Sequence, residues 1–150
     1  MADYYETTHD KFVFRVAKDR LYSSDDYWVM VEEGSAAIGL TDFKQQVTGD
    51  IVTVEIETVG KEFAAGDRIA TVESIKAVVD VASPITGRIM EANAVLADSP
   101  ETINEDPYGQ GWLVHLKLPG SSPEHTGLLS PESYFELMKK KIVEELEKRK

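Results

Sequence analysis

Few residue types in this chain can do covalent chemistry. None of the 150 residues is a cysteine, so disulfides, thiolate metal ligands and thiol nucleophiles are absent together. Any sulfur redox chemistry therefore has to be brought in by a cofactor. His9, His115 and His125 are far apart and fit no metal-ligand or triad spacing, which makes an enzyme in its own right the least supported class. His115 reads as a surface or satisfied core residue of a strand. Asp42 and Asp50 read as caps beside turns. One lysine stands apart. From Ile69 to Val81 two apolar runs meet at a polar tip made of Ser74, Ile75, Lys76 and Ala77. A lysine at the rigid end of a hairpin holds its ammonium in water, where an enzyme that recognises a folded shape can acylate one amine among many and remove its charge. Most turn lysines are simply solubilising, and the hairpin alone leaves both readings open.

The surrounding sequence supplies the frame that would hold this tip. Residues 1 to 11 lack an apolar period and read as a flexible lead-in. Phe12 to Val16 reads as a strand, and Tyr27 to Val31 with Ala36 to Leu40 reads as a hairpin. Period-two alternation continues through Asp50 to Ile56, Arg68 to Val72, Ala77 to Val81 and Gly87 to Met90, with glycine and proline between the runs. Thr41 is placed to cap one short helical turn within 41 to 48. Gly111 to Leu118 forms a last strand, ended by Pro119, Gly120 and a loop over 121 to 127. Ser130 and Pro131 then signal a helix start. Tyr134, Met138, Ile142 and Leu146 recur every four residues, the pattern of an amphipathic helix, with Lys148, Arg149 and Lys150 at its end. That basic end reads as a solvated face complementing the helix dipole. The run Val47 to Ile51 recurs as Ile85 to Ile89, implying two similar half-units. The expected fold is mainly β, a flattened pseudo-twofold β-sandwich over 12 to 129, with the C-terminal helix of 130 to 150 packed on the same domain.

Composition narrows the partners. The net charge is -11, and residues 139 to 150 hold six basic against three acidic groups, leaving 10 basic against 24 acidic in the body. Phosphate backbones are bound through clustered Lys and Arg, so nucleic acid is excluded as a ligand class and partners with basic faces are favoured. No apolar run approaches the ~20 residues of a membrane span, and the N-terminus is acidic and polar, so the reading is a cytoplasmic chain without membrane association or signal peptide.

The stretch Ala36 to Leu118 resembles the glycine cleavage system H protein family. The resemblance is carried by Ile38-Gly39-Leu40-Thr41-Asp42-Phe43, Gly49-Asp50-Ile51-Val52, Val72-Glu73-Ser74-Ile75-Lys76-Ala77, Ser83-Pro84-Ile85-Thr86-Gly87 and Asn104-Glu105-Asp106-Pro107-Tyr108-Gly109-Gln110-Gly111-Trp112. The lysine hairpin together with the downstream Asn-to-Trp run is a far more specific pair than either piece alone. The resemblance implies a barrel-sandwich hybrid of the lipoyl-domain type, with lipoic acid joined to Lys76 by a lipoate ligase or lipoyl transferase that reads Glu73, Ser74, Ile75 and Ala77. It further implies a non-catalytic carrier subunit. Its arm would take an aminomethyl group from glycine decarboxylase, deliver it to an aminomethyltransferase and be reoxidised by dihydrolipoamide dehydrogenase, with water excluded from the loaded arm.

The match frays near the start. Where such proteins usually show a His-Glu-Trp run, this chain reads Asp25-Asp26-Tyr27-Trp28. Tyr27 falls where the family carries a glutamate that would hold the cationic cargo, while Asp80 matches a second such position. Asp25 or Asp26 can substitute electrostatically, giving an expected cargo cleft of Asp80, Asp25, Asp26, Tyr27 and Trp28. The segment Phe12 to Tyr22, with Phe12-Val13-Phe14 and Leu21-Tyr22-Ser23-Ser24-Asp25-Asp26, also resembles a sister group of lipoate-binding proteins that serve heterodisulfide-reductase-like complexes in sulfur oxidation, which gives the alternative function. A biotinyl carrier is disfavoured because its lysine normally lies between methionines, whereas Ile75 and Ala77 flank Lys76. Lipoyl domains of 2-oxo acid dehydrogenases usually show Asp-Lys-Ala and belong to long chains.

Overall fold

A computed structural model describes residues 3–119 and 127–148. Most of the expected loop over 121 to 127, with His125, Arg149 and Lys150, lies outside them. The elements are β1 (Tyr4–His9), β2 (Phe12–Ala17), β3 (Leu21–Tyr22), β4 (Tyr27–Glu32), β5 (Ser35–Leu40), α1 (Asp42–Thr48), β6 (Ile51–Ile56), β7 (Glu62–Phe63), β8 (Arg68–Ser74), β9 (Val78–Ala82), β10 (Gly87–Ala92), α2 (Val95–Asp98), α3 (Thr102–Glu105), β11 (Val114–Lys117) and α4 (Pro131–Glu147). They form a six-stranded sheet ordered β3-β4-β5-β11-β10-β7, a three-stranded sheet β6-β8-β9 and a two-stranded sheet β1-β2. None of the sheets is closed. The two repeated runs found in the sequence each lead into a strand, β6 in one sheet and β10 in another.

Period-two alternation decides which side chains meet. On β4, Tyr27 and Val29 enter one core while Trp28, between them, enters a second. The first core joins Val29, Ile38, Leu40, Ile89 and Leu116 of the six-stranded sheet to Ile69, Val72 and Val81 of the three-stranded one. The second lies on the opposite face of β4 and joins Phe14, Val16, Tyr22, Trp28 and Phe43 to Tyr134, Met138, Ile142 and Leu146 of α4. Those four positions are the ones spaced for a helical stripe, and each contributes roughly 2 kcal/mol of burial. Ser130 caps α4 by accepting from the Ser133 amide, with Pro131 in the first turn.

Residues 1 to 11, expected to be a loose lead-in, are corrected by β1. Tyr4–His9 pairs antiparallel with β2 along its whole length. Its anchors are aromatic and distant: Tyr5 stacks on Phe135 at 5.3 Å, and its hydroxyl donates to Glu132 at 2.9 Å. Helix α1 forms as expected with Thr41 as its cap, the hydroxyl accepting from the Lys44 amide at 3.1 Å. Asp42 therefore lies inside the first turn, where its carboxylate accepts from Gln45, Gln46 and the Arg15 amide. β11 is shorter than the expected strand. Its preceding residues, Gly109 to Trp112, turn back on Asp106 through the bonds from the Gln110 and Gly111 amides.

Candidate functional site

Strands β8 and β9 pair from Arg68 opposite Ala82 to Glu73 opposite Val78, leaving Ile75, Lys76 and Ala77 as the turn. Ser74 builds that turn. Its amide donates to the Ala77 carbonyl at 2.8 Å, and its hydroxyl oxygen accepts from the Ala77 amide at 3.0 Å and the Lys76 amide at 3.3 Å. Ser74 itself is buried, so the turn is held from beneath while Lys76 stays exposed above it. Ile75 and Val78, beside it, are 76% and 66% exposed, an unusual outlay of apolar surface around a single amine.

The tip also rests on a neighbouring segment. The Ile75 amide donates to the Asp50 carbonyl at 3.3 Å, so Asp50, expected as a cap, acts through its backbone. At Gly49 the backbone has φ 92°, a left-handed value that glycine adopts without strain. A Cβ added there would come within 3.1 Å of Lys76 Cε, 3.6 Å of Cδ and 3.7 Å of Cγ, so the lysine stem lies flat across the glycine. Asn104 of α3 holds this segment from both sides. Its amide nitrogen donates to the Gly49 carbonyl and to Gln45 Oε1, both at 3.0 Å, and its Oδ1 accepts from the Ile51 amide at 2.9 Å. Neither Gly49 nor Asn104 stands out as a site residue in the sequence. The available signal is Asn104 at the head of the Asn-to-Trp run, whose bonding role only the folded chain shows.

The expected cargo residues divide. Asp80 is exposed on β9 and accepts from Thr71 at 3.1 Å. Asp25 is exposed in the β3–β4 turn. Tyr27 is buried, and desolvation, followed by the negative charges of Asp25, Asp26 and Asp80, pushes its phenol well above the usual tyrosine range. The hydroxyl thus lies in the field of carboxylates from both ends of the expected cleft and stays protonated. It is a neutral group where a glutamate would be charged.

Asp26 and Trp28 depart from expectation. Asp26 has φ 75°, sparsely populated for a residue with a side chain, and it is buried. Its carboxylate accepts from Tyr134 at 2.9 Å and from Lys141 at 3.0 and 3.1 Å. Because the Tyr134 proton goes to Asp26, the Thr41 hydroxyl donates to the Tyr134 oxygen at 3.0 Å. The Asp26 charge is spent pinning α4 to the β3–β4 turn rather than facing a cargo. Trp28 is buried beneath Arg20, whose guanidinium lies 4.6 Å from the ring, and its indole N–H donates to the Pro107 carbonyl at 2.8 Å. It clamps the Asn-to-Trp loop instead of lining a cleft. His115 stacks on Trp112 at 4.2 Å and meets Glu91 at 3.2 Å. A surface cavity of about 570 Å³ lies at the β7–β10 edge, around Phe63, Arg88 and Lys117, and contains none of these residues.

The glycine cleavage H-protein family model matches residues 20–141. The chain belongs to that family. It is 44% identical over 130 residues to a probable glycine cleavage system H protein of Aeropyrum pernix, covering 85% of this chain and 89% of the relative. It is 45% identical over 125 residues to a probable glycine cleavage system H protein 1 of Saccharolobus solfataricus, covering 83% and 91%. A crystal structure of a glycine cleavage system H protein from Mycobacterium marinum superposes with a TM-score of 0.70 at 35% identity, covering 78% of this chain and 94% of that one. These matches favour glycine cleavage over the sulfur-oxidation alternative. As an H protein, the chain is a lipoyl carrier subunit of the glycine cleavage system and not itself a catalyst. Among the described residues no helix is long and apolar enough to cross a membrane.

Proposed function

We propose that Lys76 is the lipoyl attachment site and that the chain shuttles the aminomethyl group of glycine among glycine decarboxylase, an aminomethyltransferase and dihydrolipoamide dehydrogenase. The observation carrying this reading is the exposed lysine at the centre of a hairpin turn braced by Ser74. The chain fits the group: a lysine stem already lies over Gly49, where an added Cβ would crowd its Cε at 3.1 Å. When bound, lipoic acid supplies the dithiolane sulfur that a cysteine-free chain lacks.

The chain's own residues present the amine and meet the cargo. Ser74 sets the turn, while Glu73, Ile75 and Ala77 give a lipoate ligase or lipoyl transferase a shaped rim. Exposed Asp80 and Asp25 offer negative charge to a cationic aminomethyl amine, while the buried Tyr27 phenol in their field stays protonated and adds no charge. The acidic body favours encounter with basic docking faces on the partner enzymes.

Incubation with lipoate ligase, lipoate and ATP should add one lipoyl mass, mapped to Lys76. Lys76→Arg should abolish the addition and keep native circular dichroism, because an exposed tip side chain contributes little packing. A folded Lys76→Arg protein still lipoylated elsewhere would sink the assignment. The pathway is tested separately: loading of lipoylated protein by glycine decarboxylase and glycine supports it, and failure to load overturns it.

A further inference from the structure

Resting on the reading that Lys76 is the attachment site, we infer that Gly49 and Asn104 form a shelf that positions the arm, fixing the direction in which the Lys76 stem leaves the hairpin. The hairpin alone would let an exposed lysine sweep a wide cone, since its stem has four rotatable bonds and nothing above the turn confines it. The structure instead lays Cγ, Cδ and Cε of Lys76 against the bare Cα of Gly49. That segment is not free to move. Asn104 grips it on both sides, at the Gly49 carbonyl and the Ile51 amide, while the Gly49 amide donates to the Gln45 carbonyl at 3.0 Å and closes α1. The Ile75 amide, bonded to Asp50, ties the turn to the same segment.

Two features make this a seat for the stem and not merely a loop contact. The left-handed φ explains a glycine, but the nearest atoms to the missing Cβ are all Lys76 methylenes, so the vacancy matches the stem in shape and chemistry. All three hydrogen-bonding groups of the Asn104 carboxamide are used within the shelf and on Gln45, which supports it, so its orientation is fixed. Holding the stem against Gly49 preorganises the amine for acylation and later restricts the arc of the loaded arm. Asn104 touches neither the amine nor the cargo and is a positioning residue.

The test uses two samples of the full chain before lipoylation, one with lysines carrying ¹³C-dimethyl labels for NMR and one with free amines for lipoylation kinetics. Expected are Overhauser effects between the Lys76 side chain and Gly49 Hα, and a Lys76 methyl signal broader than that of exposed Lys117. Asn104→Ala should abolish these Overhauser effects, sharpen the signal and lower kcat for lipoylation by about fivefold, with little change in KM because the hairpin shape is retained. Asn104→Asp keeps the acceptor for the Ile51 amide but sets an oxygen against the Gly49 carbonyl. It should reproduce the loss in a protein of unchanged volume, and it decides the matter if the alanine variant does not fold. Absence of the Lys76–Gly49 Overhauser effect in the wild type, or its persistence in the folded variants, overturns the shelf. Lipoylation kinetics that stay at the wild-type level in a variant whose Lys76 stem has left Gly49 overturn its role in presentation. Neither result bears on whether Lys76 is the modified residue, which peptide mapping of the free-amine samples reports directly.

Discussion

At the residue scale, the turn depends on one hydroxyl. Ser74 Oγ accepts from two successive backbone amides, at Lys76 and Ala77, which otherwise have no partner in the turn. Ser74→Ala should lower stability by about 1–2 kcal/mol in urea unfolding, because it orphans amides beside a buried side chain. The same variant should be lipoylated more slowly than wild type under identical ligase conditions. Lys76 and its neighbours are legible in the sequence because the turn is local: the four residues that make it are consecutive. The cargo side is not, and Asp26 shows why. A carboxylate next to the position where the family carries a glutamate looks available, but its partners Tyr134 and Lys141 lie 108 and 115 residues away in the chain. No local pattern records that commitment.

At the element scale, α4 is fastened at a point as well as along a stripe. The Lys141 ammonium reaches both carboxylate oxygens of Asp26 and the Ser24 carbonyl, tying the helix to the turn that precedes β4. Lys141→Met keeps the stem and removes the charge. With Asp26 8% exposed and Lys141 27%, this should cost about 2–3 kcal/mol in chemical denaturation, less than a fully buried pair because water still reaches the lysine side. A loss smaller than about 1 kcal/mol would mean that Tyr134 alone satisfies Asp26. Long elements with a clear period, such as β6, β8 and α4, are readable from their alternation or their four-residue stripe. β3 and β7, two residues each, and α2 and α3, four residues each, are too short to carry a period at all. β1 escapes for a different reason. Its half-buried face is Tyr5, Thr7 and His9, which is polar by composition, and its hold on the molecule comes from Phe135 and Glu132 of α4.

At the scale of the whole molecule, two cores share β4 and bury a set of tyrosines. Tyr22 stacks on Tyr134 at 4.5 Å, and Tyr22, Tyr27 and Tyr134 all have phenols raised above the ordinary value of 10.0, with desolvation the largest cause in each. The sign follows from linkage. In the unfolded chain these phenols ionise near pH 10, whereas in the native state they stay protonated, so the unfolded state sheds protons first as pH rises. The contribution is complete below pH 10 and is lost as pH climbs toward the native values, at about 1.4 kcal/mol per pH unit for each tyrosine. Urea midpoints measured from pH 9 to 11 should therefore fall with increasing steepness, and replacing Tyr22 by Phe should flatten that fall while removing its hydroxyl bond to the Ala17 carbonyl. A fall no steeper in wild type than in the Phe variant would contradict this account.

The stacking of His115 on Trp112 gives the molecule an optical property of its own. An aromatic ring stacked on an indole face changes the surroundings that its emission reports, and here the rings lie 4.2 Å apart and within 10° of parallel. Trp28, the second of two tryptophans, is buried beneath Arg20 and has no histidine against its face among the described residues. A change of emission on replacing His115 by Ala thus belongs to Trp112, at the far end of the loop that begins at Asn104. Light from that indole reports the stacking of one imidazole and the closure of the loop that braces the shelf under Lys76.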